Sequence, residues 1–231
     1  MKRYFETSGT TKQPMSRHDT FIPALRWHWL TPLYDPLLRW AMREERFRQR
    51  LISQAAIQPR HKVLDLGCGT GTLTVLIKQM QPEAEVVGLD GDRAVLDIAR
   101  AKAAQAGMAI TWQQGMAFAL PYSDDTFDRV LSSLVLHHLI TENKQRTLDE
   151  VWRVLRPGGE LHVVDFGPPH GVYGQATSIV VRRFERTMDN IEGRLPVMFR
   201  NAGFEPVQET GHITTVFGNL SLYQGGKPVQ E

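Results

Sequence analysis

At 231 residues, 42% of them hydrophobic, the chain can build one large domain, or a core domain with a modest appendage. Its formal net charge of +2 is too small to indicate a nucleic-acid partner by itself. The single cysteine, Cys68, excludes an internal disulfide and a Cys-x-x-Cys metal motif, and no apolar run approaches the ~18 residues that span a bilayer. With no apolar signal segment at its start either, the chain is expected to be soluble and cytoplasmic, without membrane insertion.

Residues 1–18 are polar and expected to lack fixed structure. Beyond them, Phe21, Trp27, Trp29, Tyr34 and Trp40 crowd a segment in which Pro23, Pro32 and Pro36 break short helices. This segment precedes the first strand and therefore lies outside the sheet. Its aromatics suit helices packed on the core or a cap over a ligand crevice, and both readings stay open. Residues 1–58 are accordingly assigned to an N-terminal helical segment and 59–231 to the main domain. The basic run "MREERFRQR" (42–50) reads as the solvated face of a helix.

From residue 61 onward strand and helix patterns alternate. "HKVLDLG" is a buried strand, followed by a helix through "TLTVLIKQM". "AEVVGLD" is a second strand, and the helix through "RAVLDIARAKAAQAG" closes at Gly107. "AITWQQG" and "FDRVLSSLVL" supply a third and a fourth strand. "TENKQRTLDEVWRVL" is an amphipathic helix with Leu148, Val151, Trp152 and Leu155 on one face. "RPGG" then turns the chain into a fifth strand, "ELHVVDF". Such alternation predicts an α/β fold with a parallel sheet covered on both faces. The end of the chain suggests a helix in "SIVVRRFERTMDN", a shorter one in "LPVMFRNAGF", and a closing hairpin in "EPVQET" and "HITTVFGNLSLYQGG".

The first strand ends in "DLGCGTG", with Gly67, Gly69 and Gly71 at spacing two. Glycines in a first βα turn permit unusual backbone angles and let a ligand lie directly on the main chain. The spacing is not the G-x-G-x-x-G of a dinucleotide site, and the G-K-[ST] of a phosphate loop is absent. Asp90 ends the second strand, where a carboxylate can accept hydrogen bonds from both hydroxyls of a ribose. A glycine loop and a ribose-binding acid without pyrophosphate features point to a nucleoside ligand.

"VLDLGCGTGTLT", "VVGLDGDRAVLDIAR", "GMAFALPYSDDTFDRVLSSLVLHHL" and "LDEVWRVLRPGGELHVVDF" resemble the successive motifs of class I S-adenosylmethionine-dependent methyltransferases. Within these the chain is most similar to the branch that includes the ubiquinone/menaquinone C-methyltransferases. The resemblance implies a Rossmann-like seven-stranded sheet whose last strand is antiparallel. It implies that Asp65, Gly67, Gly69 and Gly71 underlie the methionine end of S-adenosylmethionine, with Asp65 near its ammonium or sulfonium. Cys68 and Thr70 would offer backbone contacts, Asp90 would take the ribose hydroxyls, and Gly91 and Asp92 would flank the adenosine. Where the family commonly has an acid followed by alanine, this chain has Met116 and Ala117, whose side chain and backbone would meet the adenine.

Methyl transfer requires mainly that an acceptor be aligned with the sulfonium carbon and water be kept out. A base is needed only when the acceptor must lose a proton. His137, in "LVLHHL", is the preferred candidate, its other reading being a histidine bonded to the loop backbone. Asp165 either orients a substrate hydroxyl or caps the following turn, and His170 and Tyr173 lie in the loop beyond it. Tyr34 resembles the tyrosine that covers the cofactor in quinone methyltransferases, but the family's following asparagine and its arginine-asparagine segment are replaced here by "DPLLRW" and "VLHHL". The expected partner is a small, partly apolar or aromatic methyl acceptor, with C-, O- or N-methylation open. A homodimer stays open, no metal is expected, and buried Cys68 is read as a packing residue. Nucleic-acid or protein methylation and cofactor binding without transfer are the alternatives. The (N/D)PPY motif of base methylators is absent, and one cysteine argues against arsenic methylation.

Overall fold

The apolar run ahead of the glycines forms the central strand of a seven-stranded sheet. The computed structural model describes residues 44–170, 187–216 and 218–229. In chain order the elements are α1 (Glu44–Gln54), β1 (Lys62–Leu66), α2 (Thr72–Met80), β2 (Glu85–Asp90), α3 (Arg93–Gln105), β3 (Thr111–Gln114) and β4 (Phe127–Ser133). After a 3₁₀ turn at Leu136–His138 come α4 (Thr141–Val154), β5 (Leu155–Phe166), α5 (Met188–Ile191), α6 (Leu195–Asn201), β6 (Val207–Thr215) and β7 (Gly218–Gly226).

The strand order is β3-β2-β1-β4-β5-β7-β6. β1 pairs in parallel with β2 on one side and β4 on the other, so the connectivity reverses at β1 and opens a crevice beyond its carboxyl end. β7 runs antiparallel between β5 and β6. The expected mixed architecture is therefore present.

Strand periodicity divides the core between the two faces. Leu64 and Leu66 join Phe127, Val151, Phe199 and Tyr223 on the face covered by α4 and α6. Val63 joins Phe47, Leu51, Ile77, Leu131, Val164 and Leu222 on the other. Phe47 and Leu51 are fully buried, and at roughly 1.5–3 kcal/mol each they fasten α1 to the sheet. The opposite side of α1 carries exposed Arg46 and Arg50, as the basic run suggested.

One local expectation is corrected and two, the fourth strand within "FDRVLSSLVL" and the closing hairpin, gain definite bounds. "RPGG" does not separate helix from strand, because β5 runs through it from Leu155. Gly158 takes φ +78° there, its N–H donates to Lys227 O at 2.8 Å, and Gly159 O accepts from Lys227 N at 2.8 Å. The fourth strand stops at Ser133, since Leu134 adopts φ +59° and sends "VLHH" into the 3₁₀ turn. The "EPVQET" and "HITT" segments form one strand, β6, interrupted only by a register shift between Glu209 and Gly211. The helix expected in "SIVVRRFERTMDN" falls mostly outside the described residues, within which only Met188–Ile191 is helical. No helix among the described residues is long and apolar enough to cross a membrane.

Candidate active site

The glycine loop leaves β1 through three left-handed residues, Gly67 at φ +70°, Gly69 at +52° and Gly71 at +73°. Side chains are strained in this region, while glycine enters it freely. The N–H groups of Gly67 and Cys68 both donate to Leu89 O, at 2.8 and 2.9 Å, so the loop is tied down to the end of β2. A Cβ on Gly67 would meet Val135 at 2.4 Å, and one on Gly71 would meet the Trp112 ring at 2.6 Å. At Gly69 nothing lies within 4 Å. Two glycines thus make room for the protein, and the middle one leaves its room open.

Asp90 closes the loop from the other side. Its Oδ2 accepts from Gly69 N at 2.8 Å and its Oδ1 from Asp92 N at 2.9 Å. Burial pushes its pKa up, opposed by these backbone hydrogen bonds. Asp92 caps α3, accepting from Ala94 N at 2.8 Å, so its side chain serves the helix terminus. Gly91 sits between them, and its carbonyl accepts from Gln114 Nε2 at 3.2 Å.

Asp65 is 1% exposed and accepts a 2.5 Å hydrogen bond from Thr74 Oγ1 in the first turn of α2. Burial raises its pKa to about 7, the Thr74 bond holding it back only in part. A half-neutralised carboxyl beneath a glycine loop is poised to regain its charge when a cation arrives.

A second constellation stands at the carboxyl ends of β4 and β5. His137 Nδ1 lies 2.8 Å from Asp165 Oδ1. Asp165 is fully buried, and its two oxygens also accept from the backbone N–H groups of Leu136 (2.8 Å), His137 (3.3 Å) and Phe166 (2.7 Å). Burial acts most strongly, to raise its pKa, but His137, the Phe166 N–H and His138 together hold it below the usual carboxylate range. The His137 backbone and ring are bonded to the same carboxylate rather than to the loop backbone. Because Nδ1 engages Asp165, Nε2 is the nitrogen left for proton transfer. The ring packs edge-on against Phe166 at 4.9 Å and beside His138 at 3.9 Å.

A methyltransferase domain family matches residues 63–159, from β1 into β5. A demethylmenaquinone methyltransferase of Thermus thermophilus is 35% identical over 157 residues, covering 67% of this chain and 70% of that one. The chain belongs to the class I S-adenosylmethionine-dependent methyltransferases. A ubiquinone/menaquinone C-methyltransferase of Desulfotalea psychrophila is 36% identical over 126 residues, covering 54% of this chain and 50% of that one. Among solved structures, the YcgJ protein of Bacillus subtilis superposes with a TM-score of 0.66 at 20% identity, over 80% of this chain and all of that one. At that identity the likeness concerns the fold.

The residues present fit the methyltransferase's cofactor, S-adenosylmethionine. Open space at Gly69, with buried Asp65 and half-buried Asp90 at the ends of the two adjoining strands, suits a ligand with a cationic end and a diol. Cys68 is buried, with its thiol pKa pushed up by burial, and so remains a protonated packing residue. Thr70 Oγ1 lies 3.3 Å from Lys102 Nζ, which also reaches Thr72 Oγ1 at 2.7 Å. Met116 and Ala117 are half-buried at the end of β3. The Met116 carbonyl is already used by Ala119 N at 3.1 Å, which leaves its thioether side chain for an apolar ring.

Of the two readings of Asp165, its hydrogen bonds fill that of a turn cap. It is fully buried, and both oxygens accept from backbone N–H groups around it. The expected turn cap and His137 anchor are the same carboxylate. His170 stands apart from this pair, beside Glu209 on β6. Tyr34, Tyr173 and the aromatic N-terminal segment lie outside the described residues.

Two features escaped the sequence reading. Trp112 lies across Gly71 and across Gly88, where a Cβ would meet its ring at 2.5 Å. A lone glycine inside the second strand was the available signal. Asn190 in α5 is fully buried with neither amide atom hydrogen-bonded, beside the 3₁₀ turn that carries His137. No sequence pattern marks such a residue.

Proposed function

We propose that the protein methylates a small, partly apolar acceptor bearing an ionisable hydroxyl or enol. The single observation that carries this reading is the 2.8 Å contact between His137 Nδ1 and the buried, ionised Asp165. Asp165 fixes the imidazole's tautomer and stabilises it once protonated, so His137 Nε2 accepts the proton that leaves the acceptor. S-Adenosylmethionine supplies the electrophilic methyl carbon, and its carbon–sulfur electron pair leaves with the sulfur as the bond to the acceptor forms. Gly67, Gly69 and Gly71 seat the methionine end, Asp65 faces its cationic groups, and Asp90 holds the ribose while bracing Gly69. Met116 packs on the adenine.

Demethylmenaquinone methyltransferases among the relatives favour a quinol-like acceptor. The His-His turn, standing where that branch has arginine-asparagine, argues for different acceptor contacts. The setting is assigned to the cytoplasm. The test is transfer of labelled methyl from S-adenosylmethionine into a cell extract, partitioned between solvent-extractable, aqueous and macromolecular fractions. Label in the solvent fraction supports the proposal and allows the product to be named by mass spectrometry. Label confined to nucleic acid or protein overturns it.

A further inference from the structure

The edge strand β6 carries a second cluster of polar groups, away from the loop that binds the cofactor. We propose that His170, Glu209 and His212 form a binding site for one divalent transition-metal ion of the zinc class.

The site depends on the irregularity in β6. Residues three apart on a regular strand point to opposite faces. Here Glu209 pairs with Tyr223 and His212 with Ser221, two β7 residues that share a face. The register shift between Glu209 and Gly211 inserts one residue and turns both side chains to that face. His170, four residues beyond the end of β5, completes the group. Its Nε2 is 3.6 Å from Glu209 Oε1, and its ring stacks on that of His212 at 4.1 Å with a 16° tilt.

One ligand atom from each residue can be chosen so that all three lie within 4.8 Å of one another. Ligands of a tetrahedral zinc, at about 2.0–2.2 Å from the ion, stand about 3.3 Å apart. The side chains are exposed, so closing about 1.5 Å is a matter of rotation about their own bonds. Two imidazoles and one carboxylate with a fourth position open to water make a donor set that favours zinc-like ions over magnesium or calcium. An ion pair accounts for His170 and Glu209 but leaves the stacked second imidazole unexplained. Arg46 and Arg50 of α1 line a pocket shared with His212, and Arg50 is tied back to the strand, its Nη2 donating to Thr210 O at 3.3 Å.

Binding would clip the segment leaving β5, and therefore Asp165, to the edge strand. The site does not depend on the acceptor proposed above, and its test uses no turnover. Tag-free, chelator-treated full-length protein is titrated with Zn²⁺ by calorimetry and with Co²⁺ by visible absorption. One equivalent is expected, with a rise in melting temperature on Zn²⁺ addition. Affinity should fall at least about 100-fold in His212→Ala and in Glu209→Ala. These exposed substitutions leave the fold intact, which circular dichroism confirms. Absence of saturable Zn²⁺ binding by the wild type overturns the proposal. So does binding unchanged in the His170→Ala/His212→Ala double variant, which would assign the ion to other histidines.

Discussion

Asp90 Oδ2 accepts a hydrogen bond from the backbone N–H of Gly69 at 2.8 Å, joining the end of β2 to the middle of the glycine loop. The carboxylate offered to the ribose is therefore the one that shapes the loop for the methionine end. Asp90→Ala should weaken S-adenosylmethionine binding at least ~10-fold, since charged hydrogen bonds to the diol and the brace on Gly69 are lost together. Calorimetry reads this directly, and unchanged affinity would remove Asp90 from the cofactor site.

The glycines predict a contrast. Gly71→Ala combines a left-handed backbone with a Cβ at 2.6 Å from Trp112 and 2.8 Å from Ala99. Overpacking alone costs about 1–3 kcal/mol, with roughly 1–2 kcal/mol more for the backbone. Gly69→Ala bears only the backbone cost, because its Cβ meets nothing. Thermal melts should show a large loss for Gly71→Ala and a small one for Gly69→Ala. Cofactor affinity of Gly69→Ala should nonetheless fall sharply, the methyl group projecting into the ligand's space.

Asp65, with its pKa raised to about 7 by burial, gives a pH signature. Between about pH 4 and 7 the folded chain holds this proton and the unfolded chain does not, so the group's contribution to stability declines as pH rises through that window. The full effect is about 4 kcal/mol at most. Asp65→Asn should flatten the decline in chemical denaturation. Binding of the cationic cofactor at about pH 6 should release a proton to buffer, seen as heat that varies with buffer ionisation enthalpy, and Asp65→Asn should abolish that release.

His137→Ala should lower kcat while leaving S-adenosylmethionine affinity nearly intact. It also removes a group that helps hold the Asp165 pKa down against burial. A depressed carboxylate pKa contributes stability above the unfolded value and loses it as pH falls through the folded one. Without His137 that loss begins at higher pH, so the acid-unfolding midpoint should rise. Asp165→Asn should lower kcat and displace the acidic limb of its pH profile, with cofactor affinity retained.

Asn190→Leu should raise the melting temperature, since a buried amide without partners costs about 1–3 kcal/mol. A fall in stability instead would place Asn190 among the packing residues alone.

By itself the sequence determined the parallel sheet, the glycine loop after its first strand and the acid that ends its second. These are written in short-range patterns: apolar runs of strand length, Gly67-x-Gly69-x-Gly71, and Asp90 closing the next strand. Local periodicity and backbone freedom act over a few residues, so neighbouring letters carry them. Tertiary structure alone decided what depends on distant segments meeting. His137 and Asp165 are 28 positions apart and become a pair only because β4 and β5 are adjacent. Burial and the surrounding N–H groups made Asp165 a turn cap, and the shift in β6 placed Glu209 and His212 on one face. Strand register and burial are properties of the whole packed sheet, which no single window of sequence contains.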